Sequence, residues 1–337
     1  MALVDQESLF TPFKPKKYQS GDPSKGLIQG YQSSTLTAPR TPSSYANPEA
    51  GVVNEAADGG LPAPATPSYS PPSNFDPDYQ ALLNYANTQG YTLPTAAQQF
   101  DQNNLIQVLK TNDTWAKLDL FYLFMTDGDE DFAGLNWKSP STFKINPVNS
   151  PTFTSNIGYT GNGTDQYLET GWATTSGSNF TQNAASHGVY TNAIQAGVQY
   201  NDSVGLHGGG SNPSYNIINI YKNVGVYYLG NAVNGSIFNY SIPFKSRFWM
   251  TSRGFLGAST KQYITFGNDG LVSVDTTTTT QALTDDPIYI MQRGQAGSNW
   301  YAPSGIEFKA DFWGGGMGQV NMQTLFKALK NYESTLS

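Results

Sequence analysis

From Trp115 onward the chain keeps one cadence: short segments rich in Tyr, Phe, Ile, Val and Thr, cut by Gly/Asn/Ser turns. The turns recur about every ten residues, and no helical stretch intervenes until the closing segment. Parallel strands need a crossover of a dozen or more residues, usually a helix, so this cadence leaves antiparallel pairing. Many short strands of this kind stack as two sheets around a shared core. Strands are expected at 117–125, 152–156, 166–170, 187–191, 197–200, 215–221, 225–229, 236–241, 247–252, 262–266, 271–275, 287–292 and 305–312. The fold class is therefore mainly β, an antiparallel β-sandwich over residues 115–337.

Composition narrows the function classes. Charged residues make up 13% of the 337, about half the usual share for a soluble domain. Asp and Glu number 25 against 18 Lys and Arg, a net charge of −7 that provides no basic face for nucleic acid. The absence of cysteine excludes zinc ribbons, thiol catalysis and disulfide staples. The longest strongly apolar run, Leu120 to Met125, is far below the roughly 18–20 residues that span a bilayer, so no membrane partner is expected. The opening MALVDQESLF has no basic region followed by an apolar stretch, and synthesis in the cytoplasm of the producing cell is the expectation.

Two segments precede the β-rich body. Residues 1–75 hold 11 of the 20 prolines, too many for a ladder or helix. Composition alone describes a Pro/Ser/Ala linker. Its spaced rings, Phe10, Phe13, Tyr18, Tyr31, Tyr45 and Tyr69, suggest more: an extended arm that pegs aromatics into successive pockets of a partner. Residues 76–114 read as a helical neck. Asp76 suits an N-cap and Pro77 the first turn, with Tyr79, Leu82, Leu83 and Ala86 at i, i+3, i+4 and i+7 and Gly90 as the stop. Thr95 and Gln98 form a capping-box pattern for a second helix, whose apolar side is expected to be Phe100, Leu105, Ile106 and Leu109. A last helix is expected to open with a Val320/Leu325 staple and to bury Leu325, Phe326, Leu329 and Tyr332.

The segment PTFTSNIGYTGNGTDQYLETGW (151–172) is similar to the opening strand pair of concanavalin A-like (laminin G-like) sandwich domains. Residues 76–140, with Leu135, Asn136 and Trp137 as a Leu-Asn-Trp turn, resemble a lead-in found before such domains in bacteriophage structural proteins. The ending FKADFWGGGMGQVNMQTLFKALKNYESTL looks like that group's closing strand and helix. The resemblance spans roughly residues 76–337 and implies a jelly-roll type, lectin-like sandwich. It also implies a virion structural protein, a head decoration, fibre or tail-appendage module held by its arm to other virion proteins in a multicopy or homo-oligomeric assembly.

Chemistry-bearing residues are few. Asp127, Asp129 and Asp131 alternate along one turn, as Ca²⁺ ligands can, but Phe132 and Lys138 stand where an EF-hand needs Gly and Glu. A turn whose Asp side chains bond nearby backbone is the expected reading, with no metal or other cofactor. The laminarinase branch of the resembled fold sets two glutamates and an aspartate alternately on one strand, and no such run occurs here. Glu307 and Asp311 would share a strand face about 13 Å apart, too far for glycoside hydrolysis. Glu169, Asp275, Asp285 and Asp286 lie near strand ends and read as rim charges. His187 and His207 have no nucleophile motif or second histidine at ligand spacing. Trp172, Tyr190, Trp300 and Tyr301 are the candidate sugar platforms, each with sandwich core or rim as its plainer role. The expected function is thus non-enzymatic, a virion structural protein first, a glycan-recognition module second and a glycoside hydrolase last.

Overall fold

A computed structural model describes residues 75–192, 203–211, 214–223, 226–235, 238–241, 247–254, 261–267, 272–277, 279–295, 298–302 and 304–336. Two helices lead, α1 (Pro77–Gln89) and α2 (Ala96–Thr111), followed by β1 (Leu118–Leu123) and the single turn α3 (Glu130–Ala133). Short strands come next: β2 (Asn146–Val148), β3 (Thr152–Thr154), β4 (Gly158–Thr160), β5 (Tyr167–Ala173) and β6 (Ala185–Thr191). Then follow β7 (Ser203–Ser211), β8 (Ser214–Asn223), β9 (Val226–Gly235), β10 (Phe238–Ser241), β11 (Phe248–Arg253), β12 (Lys261–Gly267) and β13 (Val272–Thr277). The chain ends through β14 (Pro287–Ile290), β15 (Gln292–Gln295), β16 (Ser298–Tyr301), β17 (Phe308–Gly314) and α4 (Gln319–Glu333).

The protein is mainly β, and its registered strand pairs are antiparallel. Sheet A runs β13-β12-β11-β6-β17-β4-β3, with β1 also on β17, and sheet B runs β10-β9-β8-β7-β14-β5-β2. The expected strands appear with shifted ends, except that 197–200 lies outside the described residues. Strands β2, β4, β7, β15 and β16 are additional. Strand β7 reads SVGLHGGGS, a poor strand by propensity, and its ladders to β8 and β14 on either side hold it.

The central strands of sheet A, β1, β17, β6 and β11, are buried on both faces. From β1 onward Leu120, Tyr122 and Phe124 enter the sandwich core, while Phe121, Leu123 and Met125 enter a second core beneath the helices. The period of two repeats on β11, where Trp249 faces inward and Phe248 and Met250 face the helices. The helical segment therefore shares a core with the sandwich, and the layers run helices, sheet A, sheet B.

The helices correct three expectations. Phe100 is 55% exposed, and α2 instead buries Gln98, Gln99, Gln102 and Asn103 beside Leu105, Ile106 and Leu109. The capping box is not reciprocal: Gln98 turns inward to accept from Asp127 N (2.6 Å), and the Thr95 N–H goes to Asp127 Oδ1 (3.0 Å). Val320 is 62% exposed and Gly318, the N-cap of α4, offers no side-chain cap, so the staple does not form. Burial of Leu325, Phe326, Leu329 and Tyr332 is as expected.

Those glutamines join the layers. Gln102 accepts from the Tyr79 hydroxyl (2.7 Å) and directs its amide at Gln98, Thr126 and Tyr332, while the Tyr332 hydroxyl donates to Met125 O (2.7 Å). One side chain thus connects α1, α2, α4 and the end of β1. At the free edge of β1, Asn136 Oδ1 accepts from Phe121 N (3.2 Å) and Trp137 N donates to Phe121 O (2.9 Å). The Leu-Asn-Trp turn therefore covers that edge. Gln102→Leu should cost about 2–3 kcal/mol, because it removes an acceptor and two donors from buried partners. The loss should appear as a lower urea midpoint at unchanged m-value. An unchanged midpoint would show that the network adds no net stability.

Candidate functional site

Strand β5 alternates Leu168, Thr170 and Trp172 into the core with Tyr167 and Glu169 outward. On β14, Ile288 and Ile290 are buried and Tyr289 faces out between them. Registers place Glu169 opposite Tyr289 on one side and opposite Asn146 of the edge strand β2 on the other. Asn146 Nδ2 donates to Glu169 Oε2 at 3.2 Å. The Tyr167 and Tyr289 rings meet edge to face, 5.4 Å apart at 90°. Met291, at φ 67°, turns the chain from β14 into the β15–β16 hairpin, and Ala302 N closes it on Met291 O (2.7 Å). That closure brings Tyr301 to 6.2 Å from the Tyr167 ring.

Burial and nearby charge keep the phenols of Tyr167 and Tyr289 protonated. Partial burial, then the Glu169 charge and Tyr301, raise Tyr167. Burial, then Glu169, Tyr167 and Asp286, raise Tyr289. The outer face of sheet B therefore carries half-buried rings around the Glu169 carboxylate and the Asn146 amide, with the charge of Asp286 also acting on Tyr289. Such a set can stack on the C–H face of a sugar and fix its hydroxyls.

Of the platform candidates, Tyr301 belongs to this cluster and Trp172 and Tyr190 do not. Trp172 is 1% exposed and packs on Phe180 and Trp313, so it is core and cannot serve as a platform. Tyr190 is 0% exposed because β6 lies in the doubly buried sheet, and its hydroxyl bonds Glu333. Trp300 lies on β16, of which the backbone is described. The arm residues Phe10, Phe13, Tyr18, Tyr31, Tyr45 and Tyr69 lie outside the described residues. Tyr167 and Tyr289 were missed, although each stands at the polar phase of a period-two segment, Tyr167 two residues before Glu169 and Tyr289 between two isoleucines.

The acidic turn is occupied by protein partners. Asp127 takes the N–H (3.0 Å) and hydroxyl (2.6 Å) of Thr95, at the start of α2. Asp129 caps α3 through Phe132 N (2.8 Å) and accepts from Thr92 N (2.6 Å), while Asp131 pairs with Lys144 (2.5 Å). Among the described residues no group of three His, Cys, Asp or Glu is arranged to hold a metal. The Glu307–Asp311 geometry differs from expectation, because β17 is bulged between Phe308 and Ala310. Asp311 is 0% exposed, accepts from the Trp313 indole (2.8 Å), and burial raises its carboxyl well above the usual range despite that bond. Glu307 lies 3.5 Å from Lys309. His187 is buried and stacked on Trp313, 4.3 Å between centroids.

No family model matches the chain. No curated protein matches it either. Among solved structures it is similar to domain 4 of an extracellular GH43 arabinanase from Geobacillus stearothermophilus, in complex with arabinotriose. That match has 12% identity and a TM-score of 0.37, over 62% of this chain and 98% of that one. A mutant Trypanosoma rangeli sialidase displaying trans-sialidase activity matches at 10% identity and TM-score 0.44, over 69% of this chain and 39% of that one. Botulinum neurotoxin type C, in a structure relating its cell entry to two ganglioside molecules, matches at 10% identity and TM-score 0.42, over 65% and 53%. These are loose likenesses in the course of the chain.

Asp129→Ala should cost about 1 kcal/mol, the worth of a lost N-cap. Its melting temperature, like that of the parent, should be the same in Ca²⁺ and in chelator. A chelator-induced fall in the parent that Asp129→Asn abolishes would place a cation in this turn.

Proposed function

We propose that the chain is a bacteriophage virion structural protein that displays a lectin-like, concanavalin A-like sandwich for glycan recognition. In this reading residues 1–75 anchor it to other virion proteins, and the sandwich serves as a head decoration, fibre or tail-appendage module. The observation that carries the recognition half is the Tyr167–Tyr289–Tyr301 cluster around Glu169, set on the outer face of sheet B. The helices lie against the opposite sheet, so the two faces divide the work between core and contact. Support for the virion half is the resemblance of residues 76–337 to the lead-in, body and closing helix of phage structural proteins.

The cluster suits binding without turnover. Hydrolysis needs two carboxyl groups about 5–9.5 Å apart across the scissile bond. Glu169 instead accepts from Asn146 and is flanked by phenols, an arrangement that orients hydroxyls.

On a glycan array the whole protein should retain ligand and release no reducing ends. Tyr289→Ala should weaken the best ligand about tenfold, as expected for losing one aromatic platform. Turnover that Glu169→Ala abolishes would make the protein a hydrolase. For the virion half, purified particles should contain the protein at a fixed copy number. A 76–337 fragment should fold cooperatively yet fail to incorporate. Normal incorporation of that fragment would sink the anchoring role, and absence from particles would leave a free carbohydrate-binding module.

A further inference from the structure

A second concavity lies at the open edge of the sandwich, between β2 of sheet B and β4 of sheet A, with α3 beside its mouth. Its volume is about 340 Å³, at the small end of the ~300–1,000 Å³ range of ligand pockets, which suits one ring better than a chain. Ile145, Pro147 and Pro151 give it an apolar wall. Around that wall stand Glu130 and Asp131 from α3, with Lys144, Ser150 and the phenol of Tyr159. Pro147 sits between Asn146 and Val148 on β2, and Asn146 is the residue that reaches Glu169. The pocket and the outer-face cluster are therefore separate places joined by one strand.

The pocket's wall is held in shape. Phe143, Asn149 and Ser150 bracket β2 with φ of 57°, 58° and 57°, a region non-glycine residues rarely occupy. Neighbours fix each of them. The Tyr122 hydroxyl donates to Phe143 O at 2.6 Å, and Gln166 Nε2 donates to Asn149 O and Ser150 O, both at 2.9 Å. Such conformations persist where surrounding structure over-determines them, and they cluster at ligand sites.

The polar groups have a sign. Two carboxylates face one ammonium, and Asp131 Oδ1 is taken by Lys144. Tyr159 is buried and has its phenol pushed up first by burial and then by the Glu130 charge, so it stays a donor. What remains is an excess of acceptors with a net negative charge, above a wall of prolines. A ring that offers hydroxyl and ammonium donors completes it, and an acidic ring is repelled.

We infer that this pocket binds a single pyranose without acidic substituents and prefers an amino sugar to a neutral hexose. The test titrates the full chain with glucosamine, glucose and glucuronate at about pH 6.5, where the amine is protonated. Saturation-transfer NMR and calorimetry read the binding. Glucosamine should bind at least about tenfold more tightly than glucuronate, the scale of one charge-assisted hydrogen bond. Glu130→Gln should abolish the preference for glucosamine over glucose while glucose still binds. Glu130→Lys should move the order toward glucuronate. Glu130 is exposed, and matching melting curves would verify that both variants fold. In the same titrations the chemical-shift changes should fall on the pocket residues Lys144, Ile145, Ser150 and Tyr159, which separates this pocket from the outer-face cluster. No binding of any of the three sugars, an order unaffected by Glu130, or shift changes confined to Tyr167, Tyr289 and Tyr301 would overturn the inference.

Discussion

The pairing of β1 with β17 is the contact on which the other layers rest. It joins Leu118–Leu123 to Ala310–Gly314, and β17 bonds β6 on its other side. Both strands feed both cores: Leu120 and Tyr122 of β1 and Phe308 and Trp313 of β17 enter the sandwich core, while Phe121, Leu123, Ala310 and Phe312 enter the core beneath the helices. At its end the backbone comes very close: a Cβ on Gly314 would stand 2.1 Å from Lys117 O, so no other residue fits there. Gly188 on β6 has the same role in the middle of the sheet, since its missing side chain makes room for the Phe312 ring. Burial of two faces by one sheet gives each apolar residue a full share of the hydrophobic term. It also removes the alternation of polar and apolar residues that marks a half-exposed strand.

That loss of alternation explains which parts were legible beforehand. The cadence of turns showed the strands and their antiparallel class, because Gly/Asn/Ser interruptions depend on local backbone preference. Helix α1 was legible to its ends, since the Asp76 cap and Gly90 at φ 76° are local features as well. What local pattern could not show was which layer a strand would occupy. Tyr190 looks like a rim aromatic in sequence and is core in space, because helices cover the outer face of sheet A. Phe100 misled in the opposite direction. Its place is taken by glutamines whose burial makes sense only beside Tyr79, Thr126 and Tyr332, which are distant in sequence. The site followed the same rule: Tyr301 was visible as an aromatic, but its company depends on the register of β5 with β14 and on the turn at Met291.

The closing helix shows how charge finishes what packing begins. Glu333 sits at the last turn of α4 and receives Lys309 (2.6 Å), Arg247 (3.1 Å) and the Tyr190 hydroxyl (2.5 Å). Burial alone would raise its carboxyl, but the bonds from Lys309 and Tyr190 and the charges of Lys309 and Arg247 outweigh it and hold it below its ordinary value. Its contribution is therefore complete above the ordinary glutamate range and is lost as pH falls through the lowered value. One carboxylate so placed fastens the C-terminal helix to β6, to β17 and to the residue before β11.

The same economy of layers bears on where recognition can occur. The central strands β1, β17, β6 and β11 of sheet A bury both faces and leave no surface there for a ligand, so they serve as foundation. Strands β5 and β14 of sheet B bury one phase, and their outward phase is free to be polar and aromatic. Its edge strand β2 is three residues long and carries Pro147, two features that discourage pairing with another chain. A short, proline-bearing edge leaves the sandwich open there instead of sealed, and the concavity beside Glu130 and Tyr159 is the result. The device that protects the edge from aggregation thus also creates the space in which a small ring can sit. Both candidate contact regions then follow from one cause, the asymmetry between a sheet covered twice and a sheet covered once.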